Sequence, residues 1–169
     1  MKESRESNER IKLLVVDDSP FSRRLITDLL DPYWFEVVGF ADGFRSALEA
    51  YRTHMPDIVT LDVSGTEMDG LEVARRIAAQ EPEAKMVIIA AVTDEEFVAV
   101  AKNCGASAVI KKPFTAESLM NGLRAVWESE AVDDAFKNHY PDEFIASFTK
   151  LMGRFSNEVS VQSGIVSER

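Results

Sequence analysis

The feature that most limits the fold of this chain is a repeated alternation of short apolar runs with longer segments of helical periodicity. Five runs rich in Val, Ile and Leu are each followed by apolar residues at helical spacing, and these runs are 11–16, 35–40, 57–62, 86–91 and 107–110. Short continuous apolar runs predict strands that are buried on both faces. Right-handed crossovers then place the connecting helices on both sides of the sheet. The sequence therefore predicts an α/β fold with a doubly wound, five-stranded parallel sheet.

Composition narrows the class of protein. The 169 residues carry a formal net charge of -10, which argues against direct binding of nucleic acid because that binding draws on clustered Lys and Arg. The single cysteine, Cys104, excludes an intrachain disulfide and a cysteine-rich zinc site. No apolar run reaches membrane-spanning length, and residues 1–10 lack the apolar core of a signal peptide. We therefore expect a cytoplasmic protein with no membrane span.

Charged side chains follow three of the predicted strands. Asp17 and Asp18 follow the first strand, Asp62 ends the third, and Lys112 follows the fifth. The carboxyl ends of parallel strands form the edge of the sheet where ligands bind in open α/β folds. After Asp62, a polar turn containing Gly65 offers a loop that is able to hold an ion or a phosphate.

These residues, together with three short motifs, resemble the receiver domain of two-component response regulators. The motifs are Met68-Asp69-Gly70, Gly105-Ala106-Ser107 and Lys112-Pro113-Phe114, and no gap is needed between these landmarks. The resemblance covers residues 11–128. It implies a flavodoxin-like (CheY-like) fold with the strand order 2-1-3-4-5.

The resemblance also implies a site chemistry. Asp62 is the expected phosphoacceptor, and Lys112 is expected to supply positive charge to a phosphoryl oxygen. Three converging carboxylates repel one another unless a cation intervenes, and Mg²⁺ prefers oxygen ligands. Asp18 and Asp62 are therefore expected Mg²⁺ ligands, Asp17 is expected to reach the ion through water, and the backbone carbonyl of Ser64 is expected to complete the set.

Two positions depart from the family pattern. The family places a Thr or Ser at the end of strand four, where an ungapped alignment puts Ala90. An aromatic residue of strand five is replaced by Val109. The Thr or Ser hydroxyl and the aromatic ring couple phosphorylation to a change of shape, so Ala90 and Val109 are atypical switch positions. Thr93 lies nearby but would need a three-residue deletion to take the role of the missing hydroxyl.

Three functional hypotheses follow. In the leading one, a histidine kinase or histidine phosphotransfer protein phosphorylates Asp62, and the domain then changes its binding to an output domain, a partner protein or a second copy of itself. No external substrate is turned over beyond self-phosphorylation and self-dephosphorylation. The first alternative is a pseudo-receiver, an interaction module that does not depend on phosphorylation. The second is a hydrolase of the haloacid-dehalogenase type, because residues 62–66 echo its Asp-x-Asp-x-Thr motif.

The chain divides into three parts in this interpretation. Residues 1–10 are expected to form a flexible lead-in, residues 11–128 the receiver domain, and residues 129–169 a linker with a helical and strand extension that includes the start of an output domain. Within the extension, large apolar residues recur at helical spacing between Phe136 and Phe155. This apolar stripe predicts a helix that packs on the receiver or on a twin chain.

Overall fold

The structure is a computed structural model that describes residues 10–63 and 70–128. Strands and helices alternate along the chain, as the sequence predicts. The strands are β1 (Ile11–Val16), β2 (Phe35–Ala41), β3 (Ile58–Asp62), β4 (Lys85–Ala90) and β5 (Ala108–Lys111). The helices are α1 (Pro20–Leu29), α2 (Phe44–His54), α3 (Gly70–Gln80), α4 (Glu95–Asn103) and α5 (Ala116–Glu128). The predicted α/β fold class is confirmed.

All five strands pair in parallel, in the order β2-β1-β3-β4-β5. The strand order implied by the family resemblance is therefore also confirmed. Buried apolar side chains form one cluster on each face of the sheet, since β-strand side chains alternate between the two faces. One cluster packs the sheet against α2, α3 and α4, and the other packs it against α1 and α5.

Capping residues determine where two of the helices begin. The hydroxyl oxygen of Ser19 accepts a hydrogen bond from the Ser22 N–H at 3.2 Å, and Pro20 is the first helical residue of α1. In α4, the Asp94 carboxylate accepts a hydrogen bond from the Phe97 N–H at 2.8 Å. Asp94 is therefore the N-cap residue that precedes α4.

Some sequence predictions concern residues 1–9, 64–69 and 129–169, which lie outside the described part of the chain. They include the Ser64 carbonyl, most of the N-terminal lead-in and the whole C-terminal extension with its apolar stripe. Within residues 10–63 and 70–128, no helix is both long enough and apolar enough to cross a membrane.

Candidate functional site

Three carboxylates converge at the carboxyl edge of the sheet. Val16 of β1 pairs with Leu61 of β3, so the residues that follow them, Asp17 and Asp62, are neighbours across the two strands. Asp17 and Asp62 are 2% and 4% exposed, while Asp18 is partly buried. One carboxylate oxygen from each of these three residues lies within 4.8 Å of the others. We call this group the acid pocket, and its oxygen donors suit a hard divalent cation such as Mg²⁺.

Lys112 reaches the acid pocket from two strands away. Its Nζ forms a hydrogen-bonded ion pair with Asp62 Oδ1. The lysine follows β5, and β4 lies between β5 and the Asp62 strand. The Lys112 N–H donates to the Ala90 carbonyl at 2.8 Å, which holds the lysine main chain at the end of β4. The structure thus brings together the four charged side chains that the sequence singles out.

The surroundings of Asp17 oppose the ionisation of its carboxyl group. Burial, followed by the negative charges of Asp62 and Asp18, raises the pKa of Asp17 above its ordinary value. The Ser19 N–H, which donates to Asp17 Oδ1 at 2.8 Å, and the Lys112 ammonium act in the opposite direction but do not cancel the rise. Without a cation, the ionised Asp17 therefore costs the folded state free energy.

Replacing Asp17 by Asn should raise the free energy of unfolding of the metal-free protein at neutral pH. An acid with a raised native pKa loses native stability as the pH rises from the unfolded pKa, about 3.9, through the native pKa. Asn never ionises and keeps an oxygen that can accept from the Ser19 N–H, so it avoids this loss. The advantage of the variant should therefore be absent below the unfolded pKa and grow as the pH rises.

Urea unfolding of wild type and Asp17→Asn in EDTA, from below the unfolded pKa of Asp to neutral pH, measures this difference in unfolding free energy. Asp28→Asn is the control, because it alters an exposed ion pair with Arg24 and should change stability by less than about 1 kcal/mol. Saturating Mg²⁺ should reverse the order of stability of wild type and Asp17→Asn, since the variant lacks one of the three carboxylates that would attract the ion. An Asp17→Asn protein that is less stable than wild type in EDTA at pH 7 would contradict this account of the acid pocket.

The two atypical switch positions lie on the α4 side of the sheet. Ala90 is the last residue of β4, and Val109 of β5 pairs with Ile88 of β4. Both side chains belong to the apolar cluster that also contains Val98 of α4. Thr93 lies between the end of β4 and the cap of α4.

Two residues that approach the main chain of the acid pocket, Arg23 and Gly70, were given no role in the site by the sequence analysis. Arg23 of α1 donates from Nη1 to the Asp17 carbonyl at 2.7 Å. Gly70 begins α3 so close to β3 that an added Cβ would lie 2.4 Å from the Asp62 carbonyl oxygen. The sequence did carry a sign of this close approach. Gly70 is a glycine at the first position of a helix, where capping does not require a glycine. Arg23 carries no comparable signal beyond its place one turn after the Ser19 cap.

Known proteins are similar to this chain in sequence and in fold. The sequence model of the family described as the response regulator receiver domain matches residues 13–124. The chemotaxis protein CheY of Listeria monocytogenes is 40% identical over 113 residues, which cover 67% of this chain and 95% of that protein.

Solved structures agree. A chain of the CheX–CheY–BeF3–Mg²⁺ complex from Borrelia burgdorferi aligns with a TM-score of 0.65 and 28% identity, over 69% of this chain and 89% of that chain. The response regulator domain of CheB from Thermotoga maritima aligns with a TM-score of 0.62 and 27% identity, over 72% of this chain and 96% of that chain. This chain therefore belongs to the response regulator receiver family of two-component signalling.

Proposed function

We propose that this protein is a phosphorylatable receiver in which Asp62 accepts a phosphoryl group from a histidine kinase or a histidine phosphotransfer protein. The observation that carries the proposal is the convergence of Asp17, Asp18 and Asp62 with Lys112 at one edge of the sheet. Carboxylates this close together need a counter-charge, and oxygen donors select a hard cation. Asp18, Asp62 and the Ser64 carbonyl would hold Mg²⁺ directly, with Asp17 reaching it through water.

In the proposed reaction, an Asp62 carboxylate oxygen forms a bond to phosphorus while the bond from phosphorus to the donor nitrogen or oxygen breaks. When bound, Mg²⁺ offsets the negative charge that would otherwise keep an anionic phosphoryl group out of the pocket. The Lys112 ammonium, which pairs with Asp62 in this structure, is placed to move to a phosphoryl oxygen. Burial of Asp62 limits the access of water, which slows hydrolysis of the acyl phosphate.

The wider role follows from this chemistry. Residues 11–128 would act as the receiver, and phosphorylation would alter its affinity for an output domain, a partner protein or a second copy of the chain. The structural relative in complex with CheX supports a partner-binding role of this kind. We place the protein in the cytoplasm, where histidine kinases phosphorylate their receivers. Turnover of an external substrate is not part of the proposal, and the hydrolase alternative loses support because Asp62 ends the third strand, whereas the hydrolase motif follows the first.

One observation favours a second candidate, the pseudo-receiver. Ala90 ends β4 without the hydroxyl that the family uses to contact the phosphoryl group. In a pseudo-receiver the acid pocket would persist as part of a fixed interaction module, and phosphorylation would have no effect on binding.

Binding of beryllofluoride, a phosphoryl mimic, tests the leading candidate. Amide spectra of the full chain, recorded with beryllofluoride and Mg²⁺, should show shifts at residues next to the acid pocket. The shifts should disappear in EDTA and in Asp62→Asn, because the mimic needs both the cation and the carboxylate. A wild-type spectrum that beryllofluoride and Mg²⁺ leave unchanged would favour the pseudo-receiver.

A further inference from the structure

The main chain and side chain of Asp17 are held at three points. Its N–H donates to the Ala41 carbonyl of β2 at 2.9 Å, and its carboxylate accepts from the Ser19 N–H at 2.8 Å. Its carbonyl accepts from Arg23 Nη1 at 2.7 Å. The first two contacts come from main-chain groups that the sheet and the turn already place. The third depends on the identity of one side chain.

Arg23 is suited to this contact by its chemistry and its anchoring. The guanidinium carries five N–H donors in a rigid plane and stays charged at any physiological pH. A hydrogen bond from a charged donor is stronger than one between neutral groups. The arginine is itself fixed in the first turns of α1, where its N–H donates to the Ser19 carbonyl at 3.1 Å. Its half-buried side chain therefore ties the start of α1 to the end of β1.

This tie closes the turn that carries two members of the acid pocket. Asp17 makes both contacts, through its N–H to Ala41 of β2 and through its carbonyl to Arg23 of α1, and Asp18 is the next residue of the same turn. Two carboxylates that repel Asp62 would move apart if the turn could open. A fixed main chain keeps them at the separation that a single cation requires, which is how groups behind metal ligands usually tune metal affinity.

The neighbouring arginine provides a comparison. Arg24 pairs with Asp28 on the same helix at 2.9 Å, and its side chain is 79% exposed. The two arginines are adjacent and chemically identical, so an effect of overall charge would be similar for both. Of these two arginines, Arg23 donates to the Asp17 carbonyl and Arg24 does not, so an effect that depends on this contact should be lost only when Arg23 is replaced.

We propose that Arg23 is a positioning residue for the acid pocket: its guanidinium fixes the Asp17 main chain and so holds Asp17 and Asp18 in place for a divalent cation. The inference rests on the proposed Mg²⁺-dependent function of the pocket. It predicts that Arg23→Met weakens Mg²⁺ binding about ten-fold, in the range usual for residues that support metal ligands. Arg23→Lys, which keeps one charged donor on a flexible chain, should fall between Arg23→Met and wild type.

The test is a Mg²⁺ titration of the full chain, followed by amide spectra, for wild type, Arg23→Met, Arg23→Lys and Arg24→Met. Arg24→Met should stay within about two-fold of the wild-type dissociation constant, because surface charge alone has a small effect. The rate of phosphorylation by a small phosphodonor should recover in Arg23→Met when Mg²⁺ is raised to saturation, since Arg23 does not touch the reacting atoms. A purely structural role would lower the melting temperature of Arg23→Met but leave the Mg²⁺ affinity of the folded protein unchanged.

Two results would overturn the proposal. One is an Arg23→Met protein that binds Mg²⁺ within two-fold of wild type, and the other is an equal weakening in Arg23→Met and Arg24→Met. If Arg23→Met does not fold, the Arg23→Lys dissociation constant decides, and a wild-type value would again refute the positioning role. A wild-type protein that binds no Mg²⁺ would refute the proposed function together with this inference, whereas wild-type binding with unaffected variants would refute this inference alone.

Discussion

Replacing Ala90 by Thr should enlarge the response of the β4–α4–β5 region to beryllofluoride. The family hydroxyl at this position moves toward a phosphoryl oxygen and biases a two-state element. With Ala90, that bond is missing. A hydrogen bond to a charged acceptor contributes about 1.5–3 kcal/mol, so its absence should reduce the population shift roughly ten-fold or more. Amide shift changes across α4 and β5 should therefore be small in wild type and clearly larger in Ala90→Thr.

Replacing Val109 by Tyr together with Ala90→Thr should enlarge the response to beryllofluoride further. Both residues are buried in the apolar cluster under α4, with exposures of 4% for Ala90 and 2% for Val109. A Tyr at position 109 offers the aromatic ring that the family moves into the vacated space. Inside a packed cluster the larger ring can also cost about 1–3 kcal/mol of stability, so the unfolding free energy must be measured alongside the spectra.

Ala91→Thr is the matched control for Ala90→Thr. It adds the same hydroxyl one residue later, at an exposed position outside β4. Its spectra with beryllofluoride should resemble those of wild type. If wild type already shows changes as large as those of the double variant, the weak-coupling account is wrong. Thr93→Val would then show whether the Thr93 hydroxyl supplies the missing donor.

Replacing Gly70 by Ala should disrupt both the stability of the domain and the acid pocket. The new Cβ would lie 2.4 Å from the Asp62 carbonyl oxygen and 3.1 Å from Val63 Cγ2, so α3 or the end of β3 must move. Forced displacements in packed regions cost about 1–3 kcal/mol. Because the carbonyl oxygen that the new Cβ approaches belongs to Asp62, the proposed phosphoacceptor, Mg²⁺ affinity should fall together with the unfolding free energy.

Gly43→Ala provides the comparison, since Gly43 also stands at the start of a helix. The nearest atom to its added Cβ is Ser46 Oγ at 4.0 Å, and its φ of -162° is open to any residue. Replacing the glycine N-cap of α2 by Ala should lower the unfolding free energy by less than about 1 kcal/mol and leave Mg²⁺ affinity unchanged. Equal Mg²⁺ affinities for wild type and Gly70→Ala would show that the close approach of α3 does not position Asp62.

Local pattern was sufficient to predict the alternation of elements and the membership of the acid pocket. One apolar run is followed directly by Asp17 and another ends in Asp62, and this places both acids at the same edge of the sheet once the strands are parallel. The bounds of β4 differ by one residue from the predicted run 86–91. Helix caps and the last hydrogen bonds between strands decide such bounds, and hydrophobic periodicity does not show them. The strand order came from the family resemblance, since many orders satisfy the same pattern.

Other features depend on contacts between distant parts of the chain. The register of β1 against β2 shifts between Leu13 and Leu14. This shift depends on how the two strands pair, and the sequence of either strand alone does not predict it. The Arg23 contact depends on how α1 packs over the end of β1, and the Gly70 contact on how closely α3 approaches β3. Side chains that act on the main chain of their neighbours leave little trace in residue type or spacing.

Covalent phosphorylation of Asp62 tests the central claim most directly. The full chain is incubated with Mg²⁺ and an excess of a small phosphodonor, and its intact mass is measured. The account predicts one added phosphate that hydroxylamine removes, that requires Mg²⁺, and that is absent in Asp62→Asn. A wild-type protein that stays unmodified under donor excess, or that gains its phosphate equally in Asp62→Asn, would contradict the assignment of Asp62 as the phosphoacceptor.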